Sequence, residues 1–409
     1  EHPAQHSFFC MEKLLIATCI AACLLSLFDS LLPGSPRNKP QMSIPLSESL
    51  KSELQAVAAR LATNGKGLLA ADESTSTIGK RFEKAGLKNE EEERRAYREL
   101  YMTSPGIGQY ISGVIMFKET LYQKTSAGKP FVECLREQGV EAGIKVDEGL
   151  QALATGLEGE TWTKGLENLA AAAKEYKAAG ATFAKWRAVL RVQPGGPSDA
   201  AVLRNAQELA EYAATCQAAG LVPVVEPEVL IDGDHDIVRF REVTERVVAE
   251  VVNQMWQKGV FLEGSLLKPQ MVIPGTTCPS GKASPQEIAY HTVTAMRRVV
   301  PAAMPGIMFL SGGQTEEEAT VNMNAINIAA KEMGRCPWSL SFSFGRALQH
   351  SALQLWAKDH AKAPEAKKLF LAVASVNSAA CVGKYNTSDG PHPSAASVES
   401  LYEGNRGHY

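Results

Sequence analysis

The chain is 409 residues long, 45% hydrophobic and 21% charged, a globular composition with length for one large barrel or two ordinary domains. Its formal net charge is −3, with acidic and basic residues interspersed. The sequence therefore offers neither the basic stripe of a nucleic-acid-binding protein nor the polybasic block of a membrane-surface protein. Small anionic ligands stay open, because a local basic cluster needs no net positive charge.

Residues 1–42 differ in composition from everything after them. "MEKLLIATCIAACLLSLFDSLL" begins at Met11, carries Lys13 and runs for about 15 apolar or small residues from Leu14 to Phe28, the length of a signal-peptide core and short of a membrane span. The proline-rich "PGSPRNKPQ" follows. This segment is read as a leader outside the fold, either a targeting segment or a disordered extension upstream of Met42. Cys10, Cys19 and Cys23 lie in it, whereas Cys134, Cys216, Cys278, Cys336 and Cys381 are far apart and show no CxxC spacing. That usage fits a reducing compartment and argues against a disulfide framework or a zinc site. Apart from His2 and His6 in the leader, the histidines form no HxH or HxxxH pair, so no metal and no cofactor are expected.

From Ser43 onward, short apolar runs alternate with longer amphipathic stretches. The runs are "GLLAAD" (67–72), "SGVIMF" (112–117), "AGIKVD" (142–147), "FAKWRAVL" (183–190), "VPVVEPEVL" (222–230), "VFLEGSLLK" (260–268), "GIMFLSGG" (306–313) and "SLSFSFG" (339–345). Between them lie helix-like segments such as 163–180 and 198–220, each closing on a glycine as a helix C-terminus does before the next strand. A repeat of about 40 residues, taken eight times, predicts an α/β fold of the (β/α)8 TIM-barrel type over residues 43–409. A doubly wound open sheet is the alternative, but no GxGxxG follows the first run.

In such a barrel the active site lies at the C-terminal ends of the strands, so polar residues there are read as chemistry. The first run ends at Asp72, the third carries Lys145 and Asp147, the fourth Lys185 and Arg187, the fifth Glu226 and Glu228, and the sixth ends at Lys268. The period-2 alternation of a strand puts Lys185 with Arg187, and Glu226 with Glu228, on shared faces. Any one of these charges reads equally as a buried ion pair, but together they describe a polar pocket. A lysine buried at Lys268 loses hydration of its ammonium, so its pKa is expected to fall from about 10.4 toward roughly 7 to 8, further depressed by repulsion from Lys185 and Arg187.

The seventh and eighth runs end in "LSGG" and "FGRA". Loops after these two strands commonly hold phosphate through backbone N–H groups, a hydroxyl and a cation. Ser311, Gly312, Gly313, Gly345 and Arg346 supply all three. A second anion cradle is expected at "DESTSTIGKR" (72–81), where Ser74 and Thr77 precede Lys80 and Arg81; an ordinary helix N-cap is the competing reading. Phosphate sites, a buried lysine and carboxylates together point to carbonyl chemistry through an iminium.

The segments "LLAADESTSTIGKR", "GIKVDEG", "FAKWRAVL", "VPVVEPEVLIDGDHD", "LEGSLLKPQMV", "FLSGGQTEEEAT" and "SFSFGRALQ" resemble, in order and spacing, the class I fructose-bisphosphate aldolases from about residue 47 to Tyr409, and most closely the plant and algal members. The resemblance implies reversible cleavage of fructose 1,6-bisphosphate to dihydroxyacetone phosphate and glyceraldehyde 3-phosphate without a metal. It assigns the Schiff base to Lys268, acid/base work to Glu226, the substrate hydroxyl to Asp72, and pocket orientation to Lys185, Arg187 and Glu228. It gives one phosphate to Ser311, Gly312, Gly345 and Arg346 and the other to Ser74, Thr77 and Lys145. Thr77 replaces the vertebrate serine of that motif. Tyr409 matches the family's terminal tyrosine, although the approach "YEGNRGHY" departs from the common spelling. The resemblance also implies a homotetramer and a cytoplasmic location, or a plastid one if the leader is a targeting segment. Other Schiff-base sugar-phosphate aldolases, and a non-catalytic scaffold on the same fold, remain the alternatives.

Overall fold

A computed structural model describes residues 46–155, 157–334 and 336–386; the leader and Tyr409 lie outside these. The first helix, α1 (Glu48–Leu61), starts at Ser47, whose hydroxyl accepts the Leu50 N–H at 3.2 Å, a cap that satisfies one of the orphan donors of the first turn. Its Leu54, Val57, Ala58 and Leu61 pack with Leu68, Phe183, Val222, Val224 and Leu266 in one buried cluster. Phe183 and Val222 open their strands, so α1 plugs the N-terminal mouth of the barrel.

The strands are β1 (Gly67–Ala71), β2 (Ile111–Met116), β3 (Glu141–Lys145), β4 (Leu150–Ala152), β5 (Thr161–Thr163), β6 (Phe183–Arg191), β7 (Val222–Leu230), β8 (Leu266–Leu267), β9 (Gly306–Phe309) and β10 (Ser339–Phe344). All but β4 and β5 form a closed barrel in which neighbours run parallel, and β1 meets β10 through Leu68↔Ser343 and Leu69↔Phe344. The eight barrel strands coincide with the eight apolar runs. Parallel strands are covered on both faces, which is why they read as continuous apolar stretches. Barrel closure needs bulk inside and tolerance opposite it. At Gly143 an added Cβ would sit 2.2 Å from the Phe183 ring, so glycine there admits the phenylalanine.

Helices α2 (Thr75–Ala85), α3 (Glu91–Met102), α4 (Lys118–Tyr122), α5 (Phe131–Glu137), α6 (Leu169–Ala178) and α7 (Asp199–Ala218) link the first five barrel strands. After them come α8 (Ile237–Gln257), α9 (Pro285–Val299), α10 (Glu316–Glu332), α11 (Arg346–Lys358) and α12 (Ala363–Ala380). The expected glycine endings hold. Gly180 and Gly220 take φ of 99° and 79°, and the next N–H in each case bonds back into the last turn, Ala181 to Tyr176 at 3.0 Å and Leu221 to Cys216 at 2.9 Å. On α7, Tyr212 is fully buried, stacks on Trp186 and donates to the Ala184 carbonyl at 2.7 Å. This fixes the helix against β6, where each buried aromatic side chain contributes about 2 kcal/mol.

Two details depart from the sequence reading. The sixth run forms a strand only at Leu266–Leu267, because Leu262–Gly264 turns as a 3-10 helix. The carboxamide of Gln217 accounts for this: it donates to the carbonyls of Phe261 (2.7 Å) and Gly264 (3.1 Å) and accepts the Phe261 N–H (2.9 Å), satisfying backbone groups that a longer strand would give to its neighbours. The antiparallel pair β4–β5, outside the barrel, was not expected.

Candidate active site

A cleft at the C-terminal rim gathers Asp72, Ser74, Thr77, Lys145, Lys185, Arg187, Glu226, Glu228, Lys268, Ser311, Gly312, Gly345 and Arg346, every described residue to which the family resemblance assigns a catalytic or substrate-binding role; Asp147 and Gly313, also singled out in the sequence, are not among its lining residues. Asp72 follows β1 and Lys268 follows β8, whose backbone N–H reaches the Val225 carbonyl at 2.8 Å. Lys185 with Arg187 on β6, and Glu226 with Glu228 on β7, are held in register by the pairings Lys185↔Val224 and Arg187↔Glu226.

The charges form a chain. The Lys268 ammonium meets one oxygen of Glu226; the other lies 2.9 Å from Lys185 Nζ, which in turn is 2.9 Å from Asp72 Oδ2. Lys268 is 4% exposed and Glu226 2%, so water screens these contacts poorly. Beside this chain, Arg187 Nε bonds Glu228 Oε2 at 2.5 Å and Lys145 Nζ bonds Asp147 Oδ1 at 2.5 Å.

Burial raises the Asp72 carboxyl, but Lys185, Lys268 and Lys145 outweigh it and hold it at about 2. Burial likewise raises Asp147, overcome by Lys145 and Lys185, and Glu228, overcome by Arg187, Lys268 and Lys185, so both lie below their usual range. For Lys185 burial pulls downward, and Asp72, Glu226 and Asp147 together push it well above the usual lysine range. Lys185 thus faces Asp72 and shares Glu226 with Lys268, while Arg187 faces Glu228.

The glycines after β9 build one rim wall. Gly312 and Gly313 have φ of 40° and 83°, left-handed values that glycine adopts without a Cβ penalty, and turns of this kind can leave backbone N–H groups for an anion. Gln314 closes the turn, its N–H and its Nε2 both donating to the Ser311 carbonyl at 2.9 Å. After β10, Gly345 precedes α11 and provides no side-chain cap. The N–H groups of that first turn, beginning at Arg346, remain suited to an anion. The opposite wall follows the ordinary N-cap reading. Ser74 caps α2, accepting the Thr77 N–H at 3.3 Å and sharing hydrogen bonds at 3.0 Å with the Thr77 and Ser76 hydroxyls. Both Ser74 and Thr77 still line the cleft.

Glu73 and Ser343 also line it and were not singled out, whereas Lys80 does not line it. Glu73 pairs with Arg81, and its other oxygen lies 2.7 Å from Arg98 Nη1. Nothing in the charged stretch "EEERRAYREL" marks Arg98, 2% exposed, as the buried member. Among the described residues no group of three or more His, Cys, Asp or Glu side chains is placed to hold a metal ion, and no described helix is long and apolar enough to cross a membrane.

Fold and site thus define a barrel enzyme whose glycine-bearing loop ends surround a buried lysine and its carboxylates. The sequence profile of the class I fructose-bisphosphate aldolases matches residues 53–408. The chain is 54% identical over 351 residues to the cytosolic fructose-bisphosphate aldolase 4 of Arabidopsis thaliana, covering 85% of this chain and 88% of that one. It is 49% identical over 365 residues to fructose-bisphosphate aldolase C of Rattus norvegicus, covering 88% and 97%. The crystal structure of Plasmodium falciparum fructose-bisphosphate aldolase, in complex with TRAP and a small-molecule inhibitor, superposes with a TM-score of 0.81 at 46% identity, covering 84% and 98%. The chain belongs to the class I fructose-bisphosphate aldolase family, lyases that work without a metal.

Proposed function

We propose that Lys268 forms the covalent intermediate of fructose 1,6-bisphosphate cleavage, and that the chain of contacts Lys268–Glu226–Lys185–Asp72 carries this assignment. Glu226, touching the ammonium, takes the proton that must leave before the amine attacks the C2 ketone. It then returns a proton to the carbinolamine hydroxyl, which departs as water and leaves the iminium. Asp72 accepts the C4 hydroxyl proton as the C3–C4 bond breaks. The bonding pair passes into the iminium to give an enamine, and glyceraldehyde 3-phosphate leaves. Protonation at C3 and hydrolysis release dihydroxyacetone phosphate and restore Lys268. Lys185 bridges Asp72 and Glu226 and holds the Asp72 carboxyl ionised, while Arg187 and Glu228 fix the adjoining wall. The C1 phosphate lies with Ser311, Gly312, Gly345 and Arg346, and the C6 phosphate with Ser74, Thr77 and Lys145. The family resemblance brings Tyr409 to this site during turnover.

The same reading makes the barrel, residues 43–409, a homotetramer acting in the cytoplasm. Relatives named as cytosolic or cytoplasmic isozymes support the location; a plastid address is the alternative if residues 1–42 target the chain. Incubation with dihydroxyacetone phosphate and borohydride tests the mechanism. Irreversible inactivation, with turnover indifferent to EDTA, is expected; turnover abolished by EDTA and no inactivation by borohydride would contradict it.

A further inference from the structure

Gln270 lies two residues beyond Lys268 and bridges to Leu310, one residue before the Ser311–Gly313 turn. Its side chain is buried, 1% exposed, beneath that turn. The Nε2 group faces the Gly312 carbonyl at 3.4 Å, and a Cβ at Gly312 would lie 1.8 Å from Oε1. The carboxamide therefore occupies the space that any larger residue at 312 would need. Its Oε1 has no hydrogen-bond partner among the described residues. A buried acceptor without a donor is unfavourable, and an apolar side chain of equal length would avoid the penalty. What an apolar side chain would lack is the polar contact that holds Gly312 in its left-handed conformation, with φ of 40°.

The second link is covalent. Lys268, Pro269 and Gln270 are consecutive, and the Leu310 N–H bonds the Pro269 carbonyl at 3.0 Å. The segment bearing the lysine and the glycine turn thus form one unit, tied by backbone on one side and by the Gln270 carboxamide on the other. We infer that Gln270 is a positioning residue, whose carboxamide sets the Ser311–Gly313 turn and so fixes how tightly the chain holds the phosphate next to the ketone that Lys268 attacks. This inference rests on the functional reading above, since it takes the phosphate at that turn to be the one on C1.

The test uses the full chain with Gln270→Met, which keeps length and bulk but removes the carboxamide, and Gln270→Glu, which places a carboxyl beneath the turn. The probes are fructose 1,6-bisphosphate, dihydroxyacetone phosphate and, as a ligand without a C1 phosphate, fructose 6-phosphate. Both variants are expected to raise KM for the bisphosphate and Kd for dihydroxyacetone phosphate, Gln270→Glu by roughly tenfold or more and Gln270→Met by less. At saturating bisphosphate kcat stays within about twofold, and fructose 6-phosphate binding is unchanged. An unchanged KM, or an equal loss for fructose 6-phosphate, overturns the inference, as does a fall in kcat at constant KM. If Gln270→Glu does not fold, Gln270→Met decides alone. Borohydride trapping on the unaltered chain keeps the two readings separate. Absence of a lysine adduct there defeats the functional reading, whereas an adduct together with unaltered KM in the variants defeats only the role of Gln270.

Discussion

Replacing Lys185 by methionine removes the ammonium that lies 2.9 Å from both Asp72 and Glu226 while leaving the volume nearly filled. Two buried carboxylates then lose a partner. Breaking a buried pair from one side costs about 3–5 kcal/mol, a large share of a typical stability of about 5–15 kcal/mol. The Asp72 carboxyl gives an independent figure. Brought from 3.8 to about 2 in the folded chain, it contributes about 2 kcal/mol. Because its folded value lies below its unfolded one, that contribution is fully present above about pH 4 and is lost as pH falls toward about 2. In Lys185→Met, burial acts on Asp72 with less opposition and its carboxyl rises. The variant should therefore be less stable near pH 7 but lose less between about pH 4 and pH 3, and kcat should fall by roughly a hundredfold or more. Urea unfolding followed by circular dichroism at these pH values reads the first two effects. Adding Asp72→Asn removes the stranded charge and should recover part of the lost stability, a coupling that a double-mutant cycle isolates. A single variant within about 1 kcal/mol of the parent, or strictly additive losses in the double variant, would refute this reasoning.

Arg346→Ala should raise KM for the bisphosphate by roughly tenfold or more through loss of charge-assisted bonds to phosphate. Calorimetric ligand binding checks it, and a fall in Tm with unaltered affinity would make Arg346 a structural ion pair instead. Gly312→Ala must push its methyl into Gln270 and strain a left-handed residue; weakened phosphate binding with kcat retained is expected from steady-state kinetics. A chain starting at Met42 should keep full turnover, because the leader's composition breaks from that of the barrel; loss of soluble protein or of activity would make residues 1–41 part of the working fold.

The barrel strands and most of the cleft were legible because they depend on local pattern. Parallel strands are apolar on both faces, glycines such as Gly180 and Gly220 end helices, and charged residues beside apolar runs fall at the functional rim. What escaped depends on partners distant in sequence. Gln217 shortens the sixth strand from 44 residues away at Phe261. Lys185 reaches Asp72 across 113 residues, so its residue type alone does not name the carboxylate it pairs with. Arg98 hides in a charged helix, since sequence alone does not say which of its arginines turns inward to Glu73. Gln270 carried no signal either: a glutamine after "LLKP" acquires meaning only when the glycine turn closes over it.

Of the three buried-run lysines, Lys268, and neither Lys185 nor Lys145, is expected to bond to the substrate. Trapping with fructose 1,6-bisphosphate and borohydride, followed by peptide mass spectrometry, measures this directly. An adduct is expected on the peptide containing Lys268, formed equally in EDTA and absent in Lys268→Met. An adduct on Lys185 or Lys145 with Lys268 unmodified would contradict it.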